Sequence, residues 1–184
     1  MVLTALQLFH ERGIHATTVD QVLEASNTGK SQFYHYFKNK EGLIHAVLTV
    51  FYDRLKAGKI SVSRIESWTE LRKWFESFID HQKKIGFTRS CPVGTIGADL
   101  SSDHELLRQD IRLIFEFMKS SLTDFFSRMK AKGELNSKTD PDALAKFCFT
   151  IMQGGLLVSK IERESETFES AARQALRYID SYRN

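Results

Sequence analysis

The amino-acid sequence predicts an all-α protein, with an N-terminal helix-turn-helix domain, a larger C-terminal helical domain and about nine helices. Three observations carry this reading. Apolar residues recur at helical spacing almost throughout, and no stretch alternates with period two for long enough to make a strand. Only two prolines interrupt the chain, Pro92 and Pro141. Helix start and stop signals punctuate it from end to end.

The first helix is predicted over about Val2–Glu11, with Leu3, Leu6 and Phe9 on its inner face and Gly13 stopping it. Thr18 and Gln21 make a capping box for a short helix that buries Val19, Val22 and Leu23. Asn27 supplies a turn residue that tolerates a left-handed backbone. A third helix, about Lys30–Phe37, places Phe33 and Phe37 one turn apart and inward. Asn39 caps a fourth, about Lys40–Ala57, whose core face is Leu43, Ile44, Val47, Leu48 and Phe51. Ser67–Glu70 reads as a capping box before a helix burying Leu71, Trp74, Phe75, Phe78 and Ile79. Ser90–Gly97 breaks the helical pattern, and Ser102–Glu105 reads as a further capping box opening a long helix that Gly133 ends. Asp140 and Pro141 place a cap and then proline at the first helical position of a helix reaching about Arg163. Thr167 is expected to cap the last helix. The domain division this suggests is residues 1–58 and 59–184.

Composition excludes several classes of function. Hydrophobic content of 42% and charged content of 27% are those of a globular protein. Cys91 and Cys148 form no CxxC pair, and the six histidines show no ligand spacing, so no disulfide framework, metal site or cofactor is expected. No Ser/His/acid or paired-carboxylate arrangement suggests an enzyme, and no glycine-rich loop suggests nucleotide binding. No signal pattern or membrane-length apolar run stands out, which makes the cytoplasm the expected compartment and a membrane an unexpected partner.

The charge distribution says more than the net charge of +3. The segment TGKSQFYHYFKNK (Thr28–Lys40) holds three lysines and a histidine among aromatic rings, and no acid occurs from Asn27 to Lys40. With Phe33 and Phe37 inward, Lys30, Ser31, Gln32, Tyr34, His35 and Tyr36 face outward from the second helix of a helix-turn-helix. These side chains suit a duplex. Lysine and hydroxyl groups bond phosphates, glutamine can bond adenine bidentately, and a helix N-terminus favours an anion. Lys40 adds a further candidate phosphate contact.

The segment ALQLFHERGIHATTVDQVLEASNTGKSQFYHYFKNKEGLIHAVL (Ala5–Leu48) closely resembles the DNA-binding domain of the tetracycline-repressor (TetR) family. The likeness lies in an LF..RG first helix, a TTV entry to the second, an aromatic-rich recognition helix ending in Phe37, and KNKEGL opening the fourth. It implies an all-helical homodimer that represses transcription from a double-stranded operator and releases it when a small-molecule inducer binds. By position, it adds a contact near Thr18 to those named above. The chain departs from the family pattern at Asn27-Thr28-Gly29, where Gly-Val-Ser is common, and at Tyr36, where His is common, so base preference does not carry over. Many relatives have a longer basic arm before the first helix, so fewer contacts from such an arm are expected here.

The remainder resembles the family's regulatory domain more faintly. Cys91–Gln109 and Gln153–Glu164 are similar to stretches of the multidrug- and lincomycin-sensing branch (QacR and LmrA types). Ten of the fourteen phenylalanines and both tryptophans lie here. Phe75, Phe78, Phe115, Met118, Phe147 and Met152 are the candidate lining for an apolar or aromatic inducer, with Asp99 and Glu116 as acids available to a cationic one. The family pattern also implies a dimer interface on the last two helices, where Gly154, Gly155, Ala172, Ala175 and Ile179 would allow close approach. Cys148, between two phenylalanines, is expected to be buried; Cys91 follows Arg89, whose charge would favour thiolate, so structural and redox roles are both open. The alternative to a repressor is a helical small-molecule-binding or interaction protein that does not bind DNA.

Overall fold

A computed structural model of the protein describes residues 1–59 and 64–184. Among the described residues there are nine helices: α1 (Val2–Arg12), α2 (Val19–Ser26), α3 (Lys30–Phe37), α4 (Lys40–Lys56), α5 (Trp68–Lys84), α6 (Pro92–Ala98), α7 (Glu105–Ala131), α8 (Pro141–Glu162) and α9 (Glu166–Asp180). Among the described residues the one extended pairing is an isolated bridge between Leu135 and Arg183. Two compact units form. One holds α1 to α4, α6 and α7 as far as Phe115; the other holds α5, α7 from Glu116, α8 and α9.

In the first unit the sequence signals act locally. Thr18 and Gln21 form the full reciprocal capping box, Thr18 N–H donating to Gln21 Oε1 at 2.8 Å and Gln21 N–H to Thr18 Oγ1 at 3.2 Å. Asn27 ends α2 in the left-handed region at φ 50°. Asn39 accepts from Gly42 N–H at 2.8 Å to start α4. The inner face of α1 departs from the expectation. Ala5, Leu8 and Phe9 are buried, whereas Leu3 is exposed. Residues three apart drift by about 60° around a helix, so Leu3 and Phe9 cannot both face a flat contact.

The segment expected to break the pattern contains α6, which buries Val93 and Ile96 and packs on α1. Cys91 caps it, its sulfur accepting from Gly94 N–H at 3.4 Å, and Pro92 takes the first position. The Ser102–Glu105 capping box does not form. α7 begins at Glu105 itself, two residues later than that box requires, and the turn before it closes through Ser101 Oγ and His104 Nδ1 at 3.0 Å, with Arg108 donating to the Ser101 and Ser102 carbonyls.

The second unit is built on α8 packed against α5 and α9. Ser67 caps α5 by accepting from Glu70 N–H at 3.2 Å, but Glu70 turns back to the Glu66 N–H at 2.6 Å rather than completing the box. Asp140 caps α8 through Asp142 N–H at 2.9 Å. Thr167 does not cap α9. It lies inside the helix, which follows Ser165, whose hydroxyl donates to Glu169 Oε1 at 2.7 Å. Three distant segments meet at one end: Asn136 N–H donates to the Tyr182 carbonyl at 2.8 Å, Trp68 Nε1–H to Glu134 at 2.7 Å, and the Arg183 guanidinium lies 4.4 Å from the Trp68 ring centre.

By length and mean hydropathy α8 could cross a membrane, contrary to the expectation from the sequence. Its apolar character divides between two faces. Leu144, Ala145, Cys148, Phe149, Met152, Gly155 and Leu156 are buried in the unit, while Leu157 and Ile161 are exposed.

Candidate nucleic-acid interface

Helix α3 is anchored from one side and bare on the other. Phe33, 1% exposed, fixes it to the unit's core, and Phe37 packs beside it at 5.6 Å between ring centres. Lys30, Ser31, Gln32, Tyr34, His35 and Tyr36 are all exposed, Tyr36 at 66%. The rings hold one another edge-on: Tyr34 against Phe33 at 5.1 Å, and Tyr36 against His35 at 4.8 Å. Edge-on pairs of this kind restrict aromatic side chains without burying their polar tips.

The electrostatics add residues that lie outside the acid-free stretch. Lys30 Nζ sits 3.0 Å from Asp20 Oδ1, an exposed pair whose hydrogen bond and charge raise the lysine above its ordinary pKa. Asp20 belongs to the first turn of α2, where a carboxylate is favoured by the helix dipole. Thr18 is exposed, and its oxygen is engaged by Gln21 N–H while its own hydroxyl proton stays available to an acceptor. Lys40 is used differently from the expectation. Its ammonium donates to the Ile14 carbonyl, and partial burial lowers its pKa against an opposing pull from Asp99. Lys38, exposed between α3 and α4, is the basic side chain there that the sequence reading did not single out.

The acids and apolar residues named for a ligand are dispersed. Asp99 accepts Ile14 N–H at 2.8 Å and so serves the α1–α2 turn rather than a ligand. Glu116 is exposed and paired with Lys119 at 2.7 Å. Phe75 and Met152 are buried, Phe78 is half-buried against Trp74, and Phe147 stacks on Tyr178. Phe115 and Met118 are half-buried, and Phe115 belongs to the first unit while the other five belong to the second. Of the six, only Phe75 lines a cleft of about 340 Å³ between α5 and α9. That cleft carries Arg72, Glu76, Asp80, Lys83, Glu169 and Arg173 on its walls beside Phe75, Ile79, Ala172 and Leu176, with Lys83 and Glu169 paired at 2.8 Å.

The small residues assigned to a dimer interface are mostly spent inside the protomer. A Cβ on Gly155 would fall 2.0 Å from the Phe168 ring, so this glycine exists for the contact between α8 and α9. Ala172, Ala175 and Ile179 are buried on the same side. Gly154 faces open space, in line with exposed Leu157 and with Ile161 at 70% exposure. Tyr178 of α9, exposed and against Phe147, extends this face.

Among the described residues no group of three or more His, Cys, Asp or Glu could hold a metal ion. Cys148 is buried, and desolvation pushes its thiol up to about 12. Cys91 is buried too, as the cap of α6.

Comparison with known proteins decides the family. The model described as "Bacterial regulatory proteins, tetR family" matches residues 2–47, and "Tetracyclin repressor-like, C-terminal domain" matches residues 68–175. The chain belongs to the TetR family. It is 28% identical to the transcriptional regulator AcuR of Cereibacter sphaeroides across 94% of this chain and 80% of the relative. It is 26% identical to the transcriptional repressor DhaR of Mycobacterium sp. strain GP1 across 89% and 82%. A TetR regulatory protein from Rhodobacter sphaeroides superposes with a TM-score of 0.80 at 25% identity, covering 97% of this chain and 96% of that one. The TetR-family regulator CifR, solved as a cysteine mutant with 26-bp operator DNA, superposes with a TM-score of 0.78 at 20% identity over 96% and 93%. The multidrug- and lincomycin-sensing branch finds no support in these matches. As a TetR-family member the chain is a helix-turn-helix transcriptional regulator.

Proposed function

We propose that this TetR-family chain is a ligand-responsive repressor that binds a palindromic operator as a homodimer and is released by a small-molecule inducer. The observation that carries the reading is the bare face of α3: Lys30, Ser31, Gln32, Tyr34, His35 and Tyr36 exposed together, on a helix locked from behind by Phe33. Lys and hydroxyl groups here hold phosphate, with Thr18 at the start of α2 and Lys38 after α3 beside them; Gln32 reads a base edge. Lys40 acts indirectly, through the Ile14 carbonyl. DhaR is a repressor and CifR binds operator DNA, and both precedents favour the same role here.

Dimerisation uses the exposed stripe of Gly154, Leu157 and Ile161 on α8 with Tyr178 on α9. A helix apolar on two faces needs a second partner, and another copy of α8 supplies one. Two reading helices then meet successive major grooves about 34–36 Å apart. Residues 1–58 are the reading part and 59–184 the regulatory and dimerising part, working in the cytoplasm, with α6 and the start of α7 lending support to the former. The inducer shifts the balance only by its difference in affinity between the operator-competent and operator-incompetent states.

The test is selection of genomic fragments by the purified protein at near-physiological salt, followed by sequencing. An enriched palindrome, especially upstream of its own or a neighbouring gene, is the expected result. No enrichment from folded, dimeric protein would leave the helical ligand-binding protein without DNA function as the better reading.

A further inference from the structure

The turn between α1 and α2, Gly13-Ile14-His15, aims the helix-turn-helix, because α2 begins only four residues later at Val19 after its Thr18 cap. Three side chains hold the peptide groups on either side of Ile14. Thr17 Oγ1, fully buried, donates to the Gly13 carbonyl at 2.8 Å. Lys40 of α4 donates to the Ile14 carbonyl. The amides of Ile14 and His15 are held by Asp99: its Oδ2 accepts Ile14 N–H at 2.8 Å and His15 N–H at 3.5 Å, and its main-chain oxygen lies 2.8 Å from His15 Nε2. Gly13 permits this grip. Its φ of +82° disfavours a side chain, and a Cβ there would lie 2.5 Å from Asp99 Oδ2.

Asp99 comes from a different part of the chain. It ends α6, inside the segment matched by the C-terminal family domain, and 84 to 85 residues separate it from its partners in the turn. Buried Val93 and Ile96 seat α6 beside α1, so the carboxylate is not free to drift. A second tie of the same kind lies nearby in sequence, where Asp110 Oδ2 of α7 meets His45 Nδ1 of α4 at 2.6 Å.

We propose that Asp99 is a positioning residue for DNA recognition: from α6 it clamps the α1–α2 turn and thereby sets the pose in which α3 reads base edges. The inference rests on the operator-binding role proposed above and names where the C-terminal segment enters it. A clamp on pose bears on base readout more than on phosphate attraction, since sequence is read by bidentate contacts of fixed geometry whereas phosphate contacts carry no sequence information.

The experiment compares full-length wild type with Asp99→Ala, Asp99→Asn and, as a control carboxylate in an exposed surface pair, Glu116→Gln. Affinity is measured for the duplex the wild type selects from genomic DNA and for a duplex of scrambled sequence, and amide hydrogen exchange is followed at residues 13–16. One bidentate base contact put out of register predicts a fall in selected-duplex affinity of about ten- to a hundredfold for Asp99→Ala. Scrambled-duplex affinity should change less than about twofold, with exchange at Ile14 and His15 accelerated. Asp99→Asn, which keeps a neutral acceptor, should fall between, and it carries the comparison if Asp99→Ala does not fold. Equal losses on both duplexes, or an unchanged ratio despite faster exchange, would overturn the positioning role. A wild type that prefers no duplex is a separate failure, and it would overturn the operator-binding reading together with this inference.

Discussion

Replacing Gly155 by alanine puts a methyl carbon 2.0 Å from one Phe168 ring carbon and 2.4 Å from two others. Carbon atoms pack at about 3.5–4.0 Å, so the ring or the helix must move by more than about 1 Å. Phe168 is fully buried, which leaves the ring no solvent to swing into. Overpacking of this kind costs about 1–3 kcal/mol and the upper end applies to a rigid aromatic neighbour. Alanine returns about 1 kcal/mol of helix propensity, for a net loss of about 2 kcal/mol. For a chain of this size that is a fall in Tm of about 4–8 °C. Gly154 is the internal control, one residue away on the same helix with nothing near its Cβ position. Within the protomer the propensity gain stands alone, and Gly154→Ala should stabilise by up to about 1 kcal/mol, less whatever the added methyl costs at the proposed dimer face. Thermal and urea unfolding of both variants at one protein concentration would measure the contrast. If Gly155→Ala melts with or above Gly154→Ala, the argument that α8 and α9 meet through this glycine is wrong.

Four further outcomes follow from the same structure. Asp20→Asn releases Lys30 and should raise affinity for any duplex, whereas Lys30→Ala should flatten the slope of log affinity against log salt by about one unit; titrations at several salt concentrations read both. Gln32→Ala should relax preference at a single operator position and leave salt dependence intact, as repeated sequence selection would reveal. Ile161→Glu should shift the protein toward monomer in sedimentation while its helical circular dichroism is retained, because the side chain is exposed in the isolated protomer. Cys148, raised by burial to about 12, remains a thiol through pH 6–9 and should resist iodoacetamide in the native state while reacting after denaturation. Its folded pKa lies above its unfolded value, so this group leaves stability untouched at neutral pH and erodes it as pH climbs from about 9 toward 12.

Local signals made most helix boundaries legible in the sequence. Thr18 with Gln21, Asn27, Asn39 and Asp140 act on backbone groups two to four residues away, and each does so in the structure. Failures came where two local options compete or the element is very short. Around Ser102, hydrogen bonds within the preceding turn replace the expected box, and α6, seven residues with two glycines and a proline, carries too little periodicity to be seen. Which side chains of α3 face outward is legible from the spacing of Phe33 and Phe37. What they meet is not, because Lys30 pairs with a carboxylate ten positions earlier and Lys40 reaches a carbonyl 26 positions away. The apolar residues of α8 present the opposite difficulty. Spacing identifies them, but a helix with two apolar faces does not say which one its own chain covers, and so Gly155 and Ala172 were assigned outward when they face in.

The composition of the two units has a consequence for how the protein is made. Residues 91–115 belong with α1 to α4, although α5 is synthesised in between, and α7 crosses from one unit to the other. The four N-terminal helices therefore leave the ribosome without Val93, Ile96 and Asp99 to complete them. At translation speeds of about 5–20 residues per second they wait roughly 2–9 s for these partners. During that interval the apolar surface that α6 later covers is open to water and to chaperones. A nascent chain halted near residue 60 would hold a reading head with its lysines in place and its aim unset.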